Sequence, residues 1–263
     1  MSLLYSIILP AFNEGSRIAP SLEKALAFVR EQHWNVEIIV VNDGSRDDTA
    51  DIVRSFMRDA PELRLLENPG NRGKGYSVRN GMLNASGDIL LFSDVDFSSP
   101  IQESIKLIAA IEQGADVAFG SRWLLAESQT QRQSLLRQFV GRAYNLLLRL
   151  ILGLPYKDTQ CGFKACTRRA AEVMFTRQQI EGWGFDPELL FIARKFGLKM
   201  TEVAVEWAND DRSKINPIVD GVKMLYELFA IRIHSMTGRY DRPTFQFLAA
   251  TPGTVLIESK PSV

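Results

Sequence analysis

Two carboxylates, Asp94 and Asp96, stand in the run Asp88-Ile-Leu-Leu-Phe-Ser-Asp94-Val95-Asp96-Phe-Ser-Ser-Pro100. Ile89 to Phe92 read as a strand buried on both faces. Pro100 then turns the chain away. In an open α/β sheet, ligands gather outside the carboxyl ends of the strands. Two carboxylates spaced i, i+2 at such an end repel each other unless a cation lies between them. A hard divalent ion that also meets phosphate oxygens suits the pair. The plainer alternative is that one Asp caps the next helix and the other is solvated, so the surrounding elements must decide.

Those elements alternate. Tyr5 to Leu9 is a buried strand followed by the turn Pro10-Ala-Phe-Asn-Glu-Gly15, after which Ile18, Leu22, Leu26 and Val29 recur at helical spacing. Val36 to Val41 is a second strand stopped by Asn42-Asp43-Gly44-Ser45. Asp48 is placed to cap the helix that carries Ile52, Val53 and Phe56. Leu63 to Leu66 is a third strand, and the turn Asn68-Pro-Gly-Asn-Arg-Gly-Lys-Gly75 opens the next helix. The strand before Asp94 is the fourth, and Asp116 to Arg122 is another that ends in a cation. Such alternation predicts a mostly parallel, right-handed, doubly wound α/β sheet. Asn13, Glu14, Asp43, Arg72, Lys74, Asp94 and Asp96 then converge on one rim, as a nucleotide site requires. Neither a G-x-G-x-x-G after the first strand nor a G-x-x-x-x-G-K-[ST] occurs, which excludes the two commonest nucleotide motifs.

The chain of 263 residues has length for a sizeable core, with 46% hydrophobic and 24% charged residues. Lys+Arg 31 balances Asp+Glu 31, so nothing calls for nucleic acid. Cys161 and Cys166 make neither a disulfide framework nor a zinc site and read as idle buried thiols in a reducing, cytoplasmic setting. His33 and His234 read as structural. Pro10 interrupts the first apolar run, which is a strand and not a signal peptide. No uncharged stretch reaches the roughly 20 residues that span a bilayer, so any membrane association is expected to be peripheral.

The strings Ser6-Ile-Ile-Leu-Pro-Ala-Phe-Asn-Glu14, Val41-Asn-Asp-Gly-Ser-Arg-Asp-Asp-Thr49, Asn71-Arg-Gly-Lys-Gly75 and Asp94-Val-Asp96 together resemble the inverting family-2 glycosyltransferases of GT-A fold. The resemblance implies a nucleoside diphosphate-sugar donor. Asp43 would pair with the base, and Pro10 to Glu14, Phe12 and Asn13 among them, would shape the nucleoside pocket. Asp94 and Asp96, flanking Val95, would hold Mg²⁺ or Mn²⁺ on the diphosphate.

Further strings follow: Asp158-Thr-Gln-Cys-Gly-Phe-Lys164, Trp183-Gly-Phe-Asp-Pro-Glu-Leu-Leu190, Val205-Glu-Trp207 and Asp211-Arg-Ser-Lys214. They resemble the dolichyl-phosphate glucosyltransferase and mannose synthase branch, leaning to the glucosyl side, over residues 4 to 240. The resemblance implies glucose transfer from UDP-glucose to a polyprenyl phosphate at the cytoplasmic face of a membrane, or else GDP-mannose-dependent mannosyl transfer. Ser98 stands where mannose synthases often place Gln, so no third metal-binding side chain is carried over.

Arg122, Arg137 and Arg142 are the cations for an acceptor phosphate, Arg137 by resemblance to mannose synthases. Lys214 would close on the donor diphosphate, and Asp158 or Asp186 would position sugar or acceptor, unless either is a cap or structural ion pair. Trp183 and Trp207 are stacking platforms or core residues. The Leu-rich segment Leu135 to Leu154 carries Arg137, Arg142 and Arg149, and reads as an interfacial helix or a core helix with snorkelling arginines. A last helix opens at Asn216-Pro217 and carries Val219, Val222, Leu225, Leu228 and Phe229.

The expected division is a nucleotide-sugar half (1–122), an acceptor half with interfacial helices (123–240) and a tail (241–263) without assigned role. A sugar nucleotidyltransferase would need a Gly-rich cationic loop where Pro10 to Glu14 stand. A non-enzymatic nucleotide-sugar-binding, membrane-docking module would need a degraded metal pair.

Overall fold

A computed structural model describes residues 3–124, 146–208 and 219–247. Arg137, Arg142, Lys214, the Asn216-Pro217 cap and the first part of the Leu-rich segment lie outside the described residues. In chain order the first elements are β1 (Leu4–Ala11), α1 (Gly15–Glu31), β2 (Asn35–Asn42), α2 (Thr49–Phe56), β3 (Leu63–Glu67) and α3 (Lys74–Leu83). There follow β4 (Ile89–Phe92), a 3-10 turn (Ile101–Glu103), α4 (Ser104–Glu112) and β5 (Val117–Ser121). After these come α5 (146–152), β6 (Lys164–Thr167), α6 (Arg168–Phe175), α7 (Phe185–Lys195), β7 (Met200–Ala204) and α8 (Val219–Met236).

The strands form one seven-stranded sheet in the order β3-β2-β1-β4-β6-β5-β7. β1 pairs in parallel with β2 and β4, β2 with β3, and β5 with β7. β6 pairs antiparallel with both β4 and β5, so among the described strands it alone runs backwards. Alternation along the strands sends Ile7, Leu9, Ile38, Val40 and Leu91 to one face, where α1, α2 and α4 bury them. Ile8, Ile39, Val41, Leu90 and Phe92 go to the other, beneath α3, α5, α6, α7 and α8. Helices on both faces make the doubly wound architecture that the alternation predicted.

Two local expectations change. Asp48 occupies the N-cap position of α2 without a side-chain cap bond. Its neighbour does the work, because Asp47 Oδ1 accepts the Thr49 N–H at 3.1 Å and the Thr49 hydroxyl at 2.5 Å. The expected stripe of α8 is also divided. Leu228 is buried against the core, whereas Leu225 and Phe229 lie on the exposed side.

Candidate active site

The reversed direction of β6 decides what meets at the rim. The segment that enters β6, Asp158 to Phe163, arrives at the same edge where β1, β2, β4, β5 and β7 end. Stretches far apart in sequence are thereby brought into contact, as Gly162 with Asp94 and Lys74 shows below.

β2 is followed directly by Asp43, which is buried and accepts three hydrogen bonds from the Gly-rich turn. Oδ1 takes Asn68 Nδ2 at 2.7 Å and the Arg72 N–H at 2.9 Å, and Oδ2 takes the Gly73 N–H at 2.8 Å. Gly73 has φ 105°, and a Cβ there would lie 2.6 Å from the Glu181 carbonyl oxygen, so only glycine fits. The turn held in this way delivers Lys74 at the first position of α3.

Lys74 forms an ion pair with Asp94 and lies over the rings of Trp183 at 5.3 Å and Phe185 at 6.0 Å. Burial pulls the Lys74 ammonium down, but the carboxylates of Asp94, Asp186 and Asp96 outweigh it and hold its pKa above the ordinary lysine value. A Cβ on Gly162 would sit 2.7 Å from Asp94 Oδ2 and 2.9 Å from Lys74 Nζ, so a side chain there would have to displace this ion pair.

Asp96 accepts the Ser98 N–H at 2.9 Å, and Arg17 Nη1 stands 3.8 Å from its Oδ2. Arg17 is clasped by Glu14, through Nε and through Nη2 at 2.8 Å. Burial and the neighbouring Asp94 raise the Asp96 pKa. A hard cation would relieve that strain, and both residues offer only oxygen. Among the described residues no group of three or more His, Cys, Asp or Glu gathers around a metal position. The donor set therefore fits a divalent ion whose other positions are filled by phosphate oxygens and water. Val95 is buried between the two carboxylates in sequence.

At the end of β1, Asn13 adopts φ 52°; its N–H donates to Ser45 Oγ at 2.9 Å and its Oδ1 accepts the Arg46 N–H at 2.8 Å. Pro10 and Phe12 are half-buried on either side of Ala11. The nucleoside segment is thus tied to the turn after β2. Arg72 lies over the Tyr76 ring at 4.6 Å and reaches Glu181 Oε2 at 3.3 Å.

Asp158 and Asp186 are both buried and both ion-paired. Arg122 donates to Asp158 from Nε at 2.6 Å, Nη2 at 2.9 Å and its backbone N–H at 3.0 Å. Burial opposes the charge on Asp158, yet Arg122 overrides it and holds the carboxyl below the usual range. The Arg122 guanidinium also lies 5.6 Å from the Trp207 ring centre. Lys164 Nζ donates to Asp186 at 2.5 Å and to the Cys161 carbonyl at 2.5 Å. Burial raises the Asp186 pKa against the pull of Lys164 and Lys74. Cys161 and Cys166 are buried free thiols, their pKa values pushed up by burial to about 11 and about 12.

Sequence reasoning did not single out Arg17, Lys164, Gly162 or Glu181. Arg17 follows Glu14 at helical i, i+3 spacing, a signal that was available. Lys164 and Gly162 lie within a quoted string. Glu181 had no local signal.

The rim, sheet and helices are those of the GT-A fold. Residues 6–175 match the family described as Glycosyl transferase family 2, and the chain belongs to that family. Within it, the chain is 37% identical over 246 residues to dolichyl-phosphate beta-glucosyltransferase ALG5C of Trichomonas vaginalis, covering 89% of this chain and 72% of the relative. It is also 37% identical over 258 residues to the dolichyl-phosphate beta-glucosyltransferase of Drosophila melanogaster, covering 93% and 79%. Among solved structures, it resembles glucosyl-3-phosphoglycerate synthase from Mycobacterium tuberculosis in complex with Mn²⁺, UDP and glucosyl-3-phosphoglycerate. That likeness has a TM-score of 0.62 and 23% identity, over 92% of this chain and 81% of that one.

Proposed function

We propose that this glycosyltransferase moves glucose from UDP-glucose to a dolichyl or related polyprenyl phosphate, with inversion at the anomeric carbon. The sugar and the lipid phosphate follow the names of the relatives that nearly the whole chain matches. The observation that carries the mechanism is that the buried carboxylates Asp158 and Asp186 are each engaged by a cation, half-buried Arg122 and buried Lys164. Asp158, held by a bidentate arginine, is a poor proton acceptor. Asp186, although burial raises its pKa, has Oδ1 taken up by the Lys164 ammonium, so an alcohol acceptor would find no free base in either. A phosphate monoester, with a second pKa near ~6, is already an anion at neutral pH and needs no base.

Asp94 and Asp96 would hold Mg²⁺ or Mn²⁺, which when bound neutralises charge on the diphosphate leaving group. Lys74, pre-set beside Asp94, supplies a second positive charge to the same phosphates. The Asp43-held turn and Pro10 to Glu14 take the nucleoside. Arg122, oriented by Asp158, would meet the acceptor phosphate, and the resemblance assigns Arg137 to the same phosphate. Trp207 supports Arg122 from beneath.

The acceptor places the enzyme at a membrane surface. No described helix is long and apolar enough to cross a membrane. Leu146, Leu147 and Leu150 of α5 are exposed, as are Tyr226, Phe229, Ile233 and Met236 of α8. At 100° per residue the four α8 side chains share one arc, opposite the arc of Leu228 and Ile231 that meets the core, with Lys223 and Arg232 at its edges. An apolar face bordered by cations supports peripheral contact with anionic lipid.

The test is transfer of labelled sugar with Mg²⁺ or Mn²⁺ present. UDP-glucose and GDP-mannose are compared as donors, against dolichyl phosphate, neutral dolichol and a free glycan. Glucosyl transfer to the lipid phosphate with an inverted product is expected. Efficient transfer to neutral dolichol or the glycan, with none to the phosphate, would overturn the substrate class and the base-free mechanism.

A further inference from the structure

The loop of residues 178–184, between α6 and α7, is gripped from one side by acidic side chains and carries the Lys74 turn on the other. On the first side, Glu188 of α7 is fully buried. Its Oε1 accepts the Gln179 N–H at 2.9 Å and the Tyr240 hydroxyl at 2.8 Å, and its Oε2 accepts the Ile180 N–H at 2.9 Å. Glu227 of α8 accepts the Gly184 N–H at 2.8 Å. The chain after Tyr240 closes over the same loop. The N–H groups of Thr244 and Phe245 donate to the Thr176 carbonyl at 2.7 and 3.0 Å, and Gln179 Nε2 donates to Thr244 Oγ1 at 3.0 Å.

On the other side the loop meets the Lys74 turn without slack. The Glu181 carbonyl accepts the Tyr76 N–H at 3.2 Å, and Gln178 Nε2 donates to the Gly75 carbonyl at 2.9 Å. Arg79 of α3 donates to the Gln178 carbonyl at 3.1 Å and to Glu181 Oε1 at 2.9 Å. A Cβ added to Gly75 would lie 2.6 Å from the Ile180 carbonyl oxygen. Trp183 presents its ring to Lys74. A shift of the loop by a few tenths of an ångström is therefore passed to the turn that Asp43 holds from the opposite side.

We propose that Glu188, anchored by Tyr240, is a positioning residue for donor binding: it fixes loop 178–184 and, through it, the Lys74 turn that meets the diphosphate. The inference rests on the donor-site reading above. Glu188 touches no substrate. Ionised or protonated, its two oxygens keep lone pairs for all three donors around it, whereas a glutamine turns an NH₂ toward one of them and leaves a buried N–H or hydroxyl unpaired. The C-terminal stretch from Tyr240 thereby gains a part in the site, although it lies far from the rim in sequence.

The experiment measures UDP binding by calorimetry on the full chain with Mn²⁺ and no acceptor, alongside UDP-glucose kinetics and melting temperatures. Wild type is compared with Glu188→Gln, Tyr240→Phe and the stability control Ile111→Ala, a core change in α4 away from the loop. Glu188→Gln should weaken UDP by about tenfold and Tyr240→Phe by about threefold. The UDP-glucose KM should rise in step while kcat changes less. Ile111→Ala should lower the melting temperature at least as much yet leave UDP affinity within about twofold of wild type.

Unchanged UDP affinity in both Glu188→Gln and Tyr240→Phe would overturn the proposal. So would a loss in Ile111→Ala that matches theirs. A wild type that binds no UDP would overturn the donor reading itself, and this inference with it.

Discussion

At the residue scale the site is a set of paired charges in which each partner limits what the other can do. Asp94 faces Lys74, Asp96 faces Arg17, Asp158 faces Arg122 and Asp186 faces Lys164. Asp94→Asn or Asp96→Asn removes half of the oxygen pair proposed for the metal. Either should cut kcat by several orders of magnitude, worth several kcal/mol, with little change in the melting temperature. Near-normal turnover in a folded Asp96→Asn protein would dismiss the metal assignment. Asp158 tests the base-free mechanism. Arg122 keeps its pKa below the usual carboxylate range, so Asp158 stays ionised throughout the neutral region and gives no rate limb there. The acceptor phosphate, with its pKa near ~6, should instead set a rising limb in kcat/KM. Asp158→Asn should lower the whole profile, by releasing Arg122, and leave the position of that limb unchanged. A limb that vanishes in the Asn variant would make Asp158 the base.

At the element scale, β1 to β5, α1 and α2 were legible, the strands as short apolar runs closed by turn residues and the two helices by their 3.6 period, whereas α4 was not singled out. What escaped did so for physical reasons. β6 is only Lys164-Ala-Cys-Thr167, too short to show a pattern, and the charge of its buried lysine is met by Asp186 from α7, distant in sequence. α3 was expected from its Gly-rich start, but its interior buries Ser77, Arg79 and Asn80, so no apolar stripe announces how deeply it sits. The rim carboxylates and cations were legible, whereas which pairs with which was not, since Arg122–Asp158 and Lys164–Asp186 depend on the reversed strand. Asp43 is an instance: read as a contact for the base, it also holds the Gly-rich turn through three hydrogen bonds. Asp43→Ala should therefore weaken UDP binding and also lower stability by a few kcal/mol, because buried donors lose their acceptor.

α7 carries its own titration. Burial pushes Glu188 from 4.5 to about 7, against the pull of the Gln179 and Ile180 N–H groups, the Tyr240 hydroxyl and Arg79. The folded protein therefore holds this proton more tightly than the unfolded chain. The associated stability is full below pH 4.5 and is lost as pH rises through about 7. Measured as wild type minus Glu188→Gln, denaturant stability should fall by up to about 3 kcal/mol between pH 4.5 and 8. A difference that stays flat over this window would show that Glu188 is not raised. Depressed carboxylates such as Asp158 act with the opposite sign, and the subtraction removes them.

At the scale of the whole molecule, the donor rim and the exposed apolar faces of α5 and α8 make two distinct demands on the environment. A nucleotide sugar comes from water, and a polyprenyl phosphate must be taken from lipid. Leu150 is 74% exposed, Tyr226 75% and Met236 82%, and each projects from a helix otherwise anchored to the core by Leu148 or by Leu228 and Ile231. Removing these faces from lipid should leave the rim untouched, because they touch none of its charge pairs. Accordingly, Phe229→Glu combined with Ile233→Glu should reduce flotation with anionic vesicles by roughly tenfold or more, since two apolar anchors are lost and two like charges added. Turnover on dolichyl phosphate embedded in those vesicles should fall in parallel. UDP affinity should stay at the wild-type value, and activity on a short-chain, water-soluble polyprenyl phosphate should persist. Replacing Leu147 and Leu150 by Glu tests α5 in the same way. If flotation ignores all four substitutions, these helices do not face lipid; if UDP affinity falls with flotation, the two surfaces are coupled through the fold rather than separate.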